Sequence, residues 1–277
     1  MPRHAYIADP GGMDSVISTD RTPIAYWTSG EGPPLVAVHG ATADHARWRP
    51  VLTLLERTAT VHAIDRRGRG GSGDNRGHGL DREFEDVAAV VRAVADRTGG
   101  RVDLLGHSYG AIVSLGAARL AGDHLRRLVL YEPPVGPAGE LLVPDLVERL
   151  ESLVARGRRE EAIETFFREE VGVPPEELAV MRGLPAWRAR VTAAHTVPRE
   201  LRAVTTFDPA PDWLRAVTVP TLLLLGGDSP AAMARGVEQV HRHLPVARIA
   251  IMPGQRHVAI DTTPELFASL VRDFLVG

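Results

Sequence analysis

The chain has 277 residues, 44% of them hydrophobic and 24% charged, with a formal net charge of -3. That length suits one large domain with a sizeable core, and so small a net charge gives no reason to expect nucleic acid or an acidic membrane as a partner. There is no cysteine, which excludes thiol nucleophiles, disulfides and cysteine-held zinc or iron–sulfur sites. There is no lysine either, which removes Schiff-base chemistry and the phosphate-loop lysine of common NTPases.

Met1 to Gly12 carries Asp9, Pro10 and two glycines where a secretory leader needs an apolar run. The longest apolar run, Val219 to Leu225, is too short to span a bilayer, so a cytoplasmic protein is expected. Ile24 to Trp27 and Leu35 to Val38 read as strands, and the second runs straight into His39-Gly40-Ala41-Thr42. A helix suits Trp48 to Leu55, and Thr60 to Ile64 is a strand that ends at Asp65 and a glycine-rich loop. Arg82 to Arg97 puts Phe84, Val87, Val90, Val91 and Val94 on one helical face.

Val102 to Leu105 then forms a short apolar strand, and Ala111 to Ala117 has the apolar spacing of a helix. Between them lies Gly106-His107-Ser108-Tyr109-Gly110. A strand that becomes a helix within five residues strains the central one, so the positions two either side of it must be small. Ser108 is therefore expected at the tip of a sharp turn, its hydroxyl presented as a nucleophile.

A strand at Leu128 to Tyr131 leads to Glu132-Pro133-Pro134. From about Val135 to Asp212 amphipathic helical segments follow one another without a strand: Glu140 to Ala155, Arg159 to Glu170, Pro175 to Met181, Ala186 to Ala194 and Pro198 to Val204. Strands resume at Pro220 to Leu225 and Ala247 to Met252, and Pro264 opens a last helix. The pattern predicts an α/β fold, a mostly parallel central sheet with helices on both faces. A core of residues 1–134 and 213–277 would carry a small all-helical lid at 135–212.

A nucleophilic serine needs a base and an acid that fixes the base's tautomer. His257 follows the strand ending at Met252, and Asp228 follows Gly226-Gly227 at the end of another. Ser, Asp and His in that chain order, each beyond its own strand, point to a catalytic triad of Ser108, Asp228 and His257. Glu132, at the end of the strand after the elbow, is the alternative acid. Asp228 is preferred because the glycine pair before it permits a sharp turn. Two other motifs lead nowhere. Gly68 to Gly73 spells a dinucleotide fingerprint but runs on into loop, and His241-Arg242-His243 has metal-pair spacing without a carboxylate cluster. No metal site is expected.

These residues together resemble the α/β-hydrolase superfamily, in the branch whose helical lid follows the sixth strand. The likeness rests on Gly106 to Gly110, the Asp228 and His257 loops, and His39-Gly40 after an early strand. Asp65-Arg66-Arg67-Gly68-Arg69-Gly70-Gly71-Ser72 and the spacing of Pro264 and Phe267 add to it. The resemblance runs from about Ile24 to the C-terminus, the lid excepted. It implies that the backbone N–H groups of Ala41 and Tyr109 form an oxyanion hole, and that no cofactor is needed. The expected activity is hydrolysis of an ester or lactone of a small, largely apolar substrate through an acyl-serine. Acyl transfer or cyclisation and carbon–carbon bond hydrolysis on the same triad are alternatives, as is a non-catalytic small-molecule receptor on the same scaffold. His39, His107, Val135, Leu141, Leu142, Trp187 and Phe207 are the expected pocket residues. The only partner expected besides substrate is a second copy, the chain being a monomer or a homodimer.

Overall fold

The computed structural model describes residues 12–75, 77–136 and 142–277. The expectations for Met1 to Gly11, for Glu140 and for Leu141 lie outside the described residues. Eight strands form one sheet: β1 (Met13–Ile17), β2 (Pro23–Ser29), β3 (Pro34–Val38), β4 (Thr60–Ile64), β5 (Val102–His107), β6 (Leu125–Tyr131), β7 (Thr221–Gly226) and β8 (Ala247–Met252). Their spatial order is β1-β2-β4-β3-β5-β6-β7-β8. β1 and β2 are antiparallel to their neighbours, and every pairing from β4 to β8 is parallel.

Alternation along the central strands sorts their side chains to two faces. Val36, Val38, Leu104, Leu128, Leu130 and Leu223 face one side, with α2 (Leu80–Thr98) and α3 (Tyr109–Ala121) packed on them. Leu35, Ala37, Leu105, Val129, Leu222 and Leu224 face the other, under α1 (Arg49–Leu55) and the C-terminal helix Pro264–Val276. Strands buried on both faces read as continuous apolar runs, which is why they were legible. β1 was not. Its residues alternate between exposed and half-buried at the sheet edge, and Asp14 and Ser15 break any apolar pattern.

Between β6 and β7 the regular elements of the described residues are all helical. They include α4 (Leu146–Ala155), α5 (Arg159–Thr165), α6 (Pro175–Arg182), α7 (Pro185–Thr192), α8 (Val197–Thr206) and α9 (Pro211–Arg215), with a π-helical turn at Phe166–Val171. This cap has its own apolar cluster, which includes Leu146, Leu150, Ile163, Phe166, Phe167, Trp187 and Leu201. Among the described residues no helix is long and apolar enough to cross a membrane.

The parallel register brings four strand ends together. His107 pairs with Tyr131, Tyr131 with Leu224, and Gly226 with Met252. The residues that follow β5, β6, β7 and β8 therefore share one carboxyl edge of the sheet.

Candidate active site

Ser108 stands between β5 and α3 with φ 56° and ψ -127°. A non-glycine residue rarely takes a positive φ, and surrounding structure must hold it there. Its N–H donates to Tyr131 O at 2.8 Å, which ties the turn to β6. The flanking glycines are required by space. A Cβ on Gly106 would lie 2.5 Å from Gly110 O, and one on Gly110 would lie 2.4 Å from the carbonyl oxygens of Val38 and His39. The Ser108 side chain fronts a cavity of about 550 Å³ whose wall also includes Ala41, Tyr109 and His257. A wider, more open depression of about 750 Å³ lies beside Asp74, His78 and Arg199, away from Ser108 and His257.

Glu132 directly follows β6, is fully buried, and also has a positive φ, 46°. His257 Nδ1–H donates to Glu132 Oε2 at 2.5 Å. The other carboxylate oxygen, Oε1, accepts from Gly226 N–H at 2.7 Å and from Ser229 Oγ–H at 2.5 Å. Three donors hold this carboxylate, so it is fixed in place and acts as an acceptor. With Nδ1 protonated, Nε2 of His257 is left with a lone pair able to take a proton.

Glu132, and not the expected Asp228, holds His257. Asp228 is exposed, two residues beyond the end of β7, and its main-chain N–H donates to Gln255 O at 2.9 Å. The Gly226-Gly227 pair has a different use from a sharp turn toward Asp228. Neither glycine has positive φ. A Cβ on Gly226 would lie 2.5 Å from Gln255 O, so its absence lets the His257 loop close over β7 while Gly226 N–H serves Glu132.

Tyr109 is the first residue of α3, where N–H groups have no intrahelical acceptor, and it lines the cavity together with Ala41. Behind them lies a buried charge cluster absent from the expectations. Arg66 Nε donates to His39 O at 3.0 Å and Nη2 to Gly40 O at 3.0 Å, so one guanidinium grips the turn that leads to Ala41. The same side chain pairs with Glu83 at 2.5 Å and with Glu200 of α8 at 3.0 Å, and lies 4.5 Å from the centre of the Tyr109 ring. Glu200 also pairs with Arg69. The Arg66 guanidinium, with Arg69 and His78, holds Glu83 well below the usual carboxylate range despite full burial. The sequence held one sign of this. Arg66 belongs to the Asp65 to Ser72 turn, whereas nothing around Glu200 marks it.

Among the described residues, Leu142 is the one expected pocket residue that lines the cavity. His39 is buried under the turn, its Nδ1–H donating to Gly40 O at 2.8 Å and its Nε2 accepting from Arg66 N–H at 3.2 Å. Burial pushes its pKa well down, and Arg66 and Arg69 add to this, so it stays neutral. His107 is buried behind His257. Val135 is buried against the helix Ala231–His243, where its carbonyl oxygen would touch any Cβ on Gly236 at 2.6 Å. Trp187 belongs to the cap's own core and donates from Nε1 to Glu160 at 2.9 Å. Phe207 packs edge-on to Phe84 and Trp213. Gly68 to Gly73 folds as a turn around Asp65, whose Oδ2 accepts from Gly71 N–H at 2.8 Å, and the next helix opens only at Leu80.

The chain is 28% identical over 260 residues, 89% of each chain, to 2-(acetamidomethylene)succinate hydrolase of Mesorhizobium japonicum. It is 26% identical over 265 residues to pimeloyl-[acyl-carrier protein] methyl ester esterase of Nitrosomonas europaea, covering 87% of this chain and 95% of that one. Among solved structures, an alpha/beta hydrolase from Sphaerobacter thermophilus superposes with a TM-score of 0.81 at 36% identity, covering 95% of this chain and all of the other. The relatives are hydrolases. The model of the Alpha/beta hydrolase family matches residues 35–270, and the chain belongs to that family.

Proposed function

We propose that this hydrolase cleaves an ester of a small substrate through an acyl-serine on Ser108, with His257 as base and Glu132 as the orienting acid. The observation that carries the reading is the Glu132–His257 pair on the wall of the cavity that Ser108 fronts. His257 Nε2 takes the Ser108 proton as Oγ attacks the carbonyl carbon, and Glu132 stabilises the resulting imidazolium. The N–H groups of Ala41 and Tyr109 receive the oxyanion, each contributing about 3 kcal/mol of transition-state stabilisation. Collapse expels the alcohol with the proton from His257. Water, deprotonated by the same ring, then releases the acid and restores Ser108. No step calls on a cofactor.

The helical cap at 142–212 serves in this reading as the pocket's lid. Phe166, Leu142, Leu201 and Val204 supply apolar wall, which suits a largely apolar acyl group. The free charge on the wall leans acidic, Glu170 and Glu177 against Arg256, while Glu200 is neutralised by its pairs with Arg66 and Arg69. Two relatives are named for a succinate and a maleamate, both carboxylates. Here the acidic wall disfavours an anionic acyl group, and a neutral one is the better fit.

The test is hydrolysis of p-nitrophenyl acetate, butyrate, hexanoate and the mono-succinate by the chain and its Ser108→Ala variant. We expect turnover of the neutral esters that disappears in Ser108→Ala, with the succinate slower than butyrate by about tenfold. Turnover that survives in Ser108→Ala overturns the nucleophile, and faster cleavage of the succinate overturns the charge preference.

A further inference from the structure

His257 sits on a loop with little burial of its own. Pro253, Gly254, Arg256 and Val258 are all exposed, and the apolar core resumes only at Ala259. Such a segment is free to wander unless polar contacts restrain it. Two rings behind the loop supply them. Tyr131, the last residue of β6, donates its O–H to Arg256 O and accepts from Ala259 N–H at 3.1 Å. His107, the last residue of β5, lies with its Nε2 3.1 Å from His257 O. Its ring stacks on Tyr131 with centroids 4.9 Å apart and lies 4.8 Å from the His257 ring.

We infer that His107 is a positioning residue for His257, a neutral donor that, with Tyr131, clamps the main chain on both sides of the base. The inference rests on the reading of His257 as the base in the proposed mechanism. A carbonyl oxygen can only accept, so Nε2 of His107 carries the proton. Its Nδ1 is buried without a hydrogen-bond partner among the described residues, a position where a second proton is costly. Burial, aided by the nearby His257 and Arg47, pushes the His107 pKa well down. A neutral ring also matters for the chemistry, because a charged one beside His257 would oppose the imidazolium that forms during attack. The grips are complementary: Glu132 sets the rotation of the His257 ring, and His107 and Tyr131 set where its backbone stands. The residue just before the nucleophile thus links the Ser108 turn directly to the base.

His107→Phe keeps a flat ring on Tyr131 and removes the donor, whereas His107→Gln keeps an N–H of similar reach. With p-nitrophenyl butyrate, His107→Phe is expected to lower kcat by about 10- to 100-fold with KM within about twofold, and His107→Gln to recover most of it. Independently of turnover, amide hydrogen exchange of Gln255 to Ala259 should quicken in His107→Phe while α2 and α3 keep their protection. Unchanged kcat or unchanged loop exchange in His107→Phe overturns the clamp. So does a loss that spreads to α2 and α3, or one that His107→Gln fails to rescue. If activity survives Ser108→Ala the hydrolase reading falls by itself, and the exchange comparison still decides whether His107 holds the loop.

Discussion

Glu132 leaves β6 with φ 46°, and its buried carboxylate meets His257, Gly226 and Ser229. Asp228, at the end of the neighbouring strand, is exposed. Both carboxylates follow strands at the same sheet edge, so chain order alone could not separate them. What separates them is reach and burial. The glutamate has an extra methylene and sits directly at its strand end, while the aspartate is carried one residue further, past Gly227. Glu132→Gln leaves the geometry in place but removes the charge that fixes the Nδ1–H tautomer. We predict a fall in kcat of roughly 10⁴-fold for ester hydrolysis, as for comparable changes in a serine–histidine–carboxylate site. Asp228→Asn should stay within about threefold, in line with substitutions at exposed positions. Steady-state kinetics of the two variants side by side checks both, and the reverse ranking would restore Asp228 as the acid.

At the scale of elements, the carboxyl edge of the sheet is joined to the cap by buried charge. Arg66 spans the turn after β3, Glu83 of α2 and Glu200 of α8. Both side chains of the Arg66–Glu200 pair are about 1% exposed, so removing one partner strands the other in a medium that solvates it poorly. Arg66→Met should destabilise the chain by about 4 kcal/mol, which for its size lowers Tm by roughly 10 °C. Scanning calorimetry reads this directly, and a shift under 2 °C would mean that the cluster contributes little. The elements of the core were legible because buried parallel strands and the elbow glycines each answer a single physical demand. The cap was legible as helices but not as a surface. In the sequence Trp187, Phe207 and Leu142 are all apolar and suit pocket lining and packing equally. Packing alone sends Trp187 into the cap's own core, Phe207 onto Phe84 and Leu142 to the cavity wall. Glu200 was hidden for the same reason: its partners, Arg66 and Arg69, lie more than 130 residues away in the chain.

For the whole molecule, buried histidines contribute to the response to acid. His39, His62 and His107 are all depressed, chiefly by burial, and His62 falls to about 4. The unfolded chain takes up the His62 proton near 6.5, whereas the folded chain resists until about 4. Between those values the unfolded state binds more protons, so stability rises with pH. The His62 contribution is complete above about pH 6.5. It is lost as pH falls toward 4, and amounts to roughly 3 kcal/mol in the limit. Urea unfolding at pH 7, 5.5 and 4 should therefore show falling stability, with a shallower fall in His62→Gln. An equal slope in the variant would assign the acid sensitivity to other groups.

In the proposed mechanism Ser108 is the nucleophile activated by the Glu132-held His257. The most direct measurement is the intact mass of the chain after incubation with a fluorophosphonate, which phosphonylates an activated serine. One stoichiometric adduct is expected on the unaltered chain, mapped to Ser108, none on Ser108→Ala, and a strongly slowed reaction in Glu132→Gln. An adduct elsewhere, or equal labelling of Ser108→Ala, would contradict it.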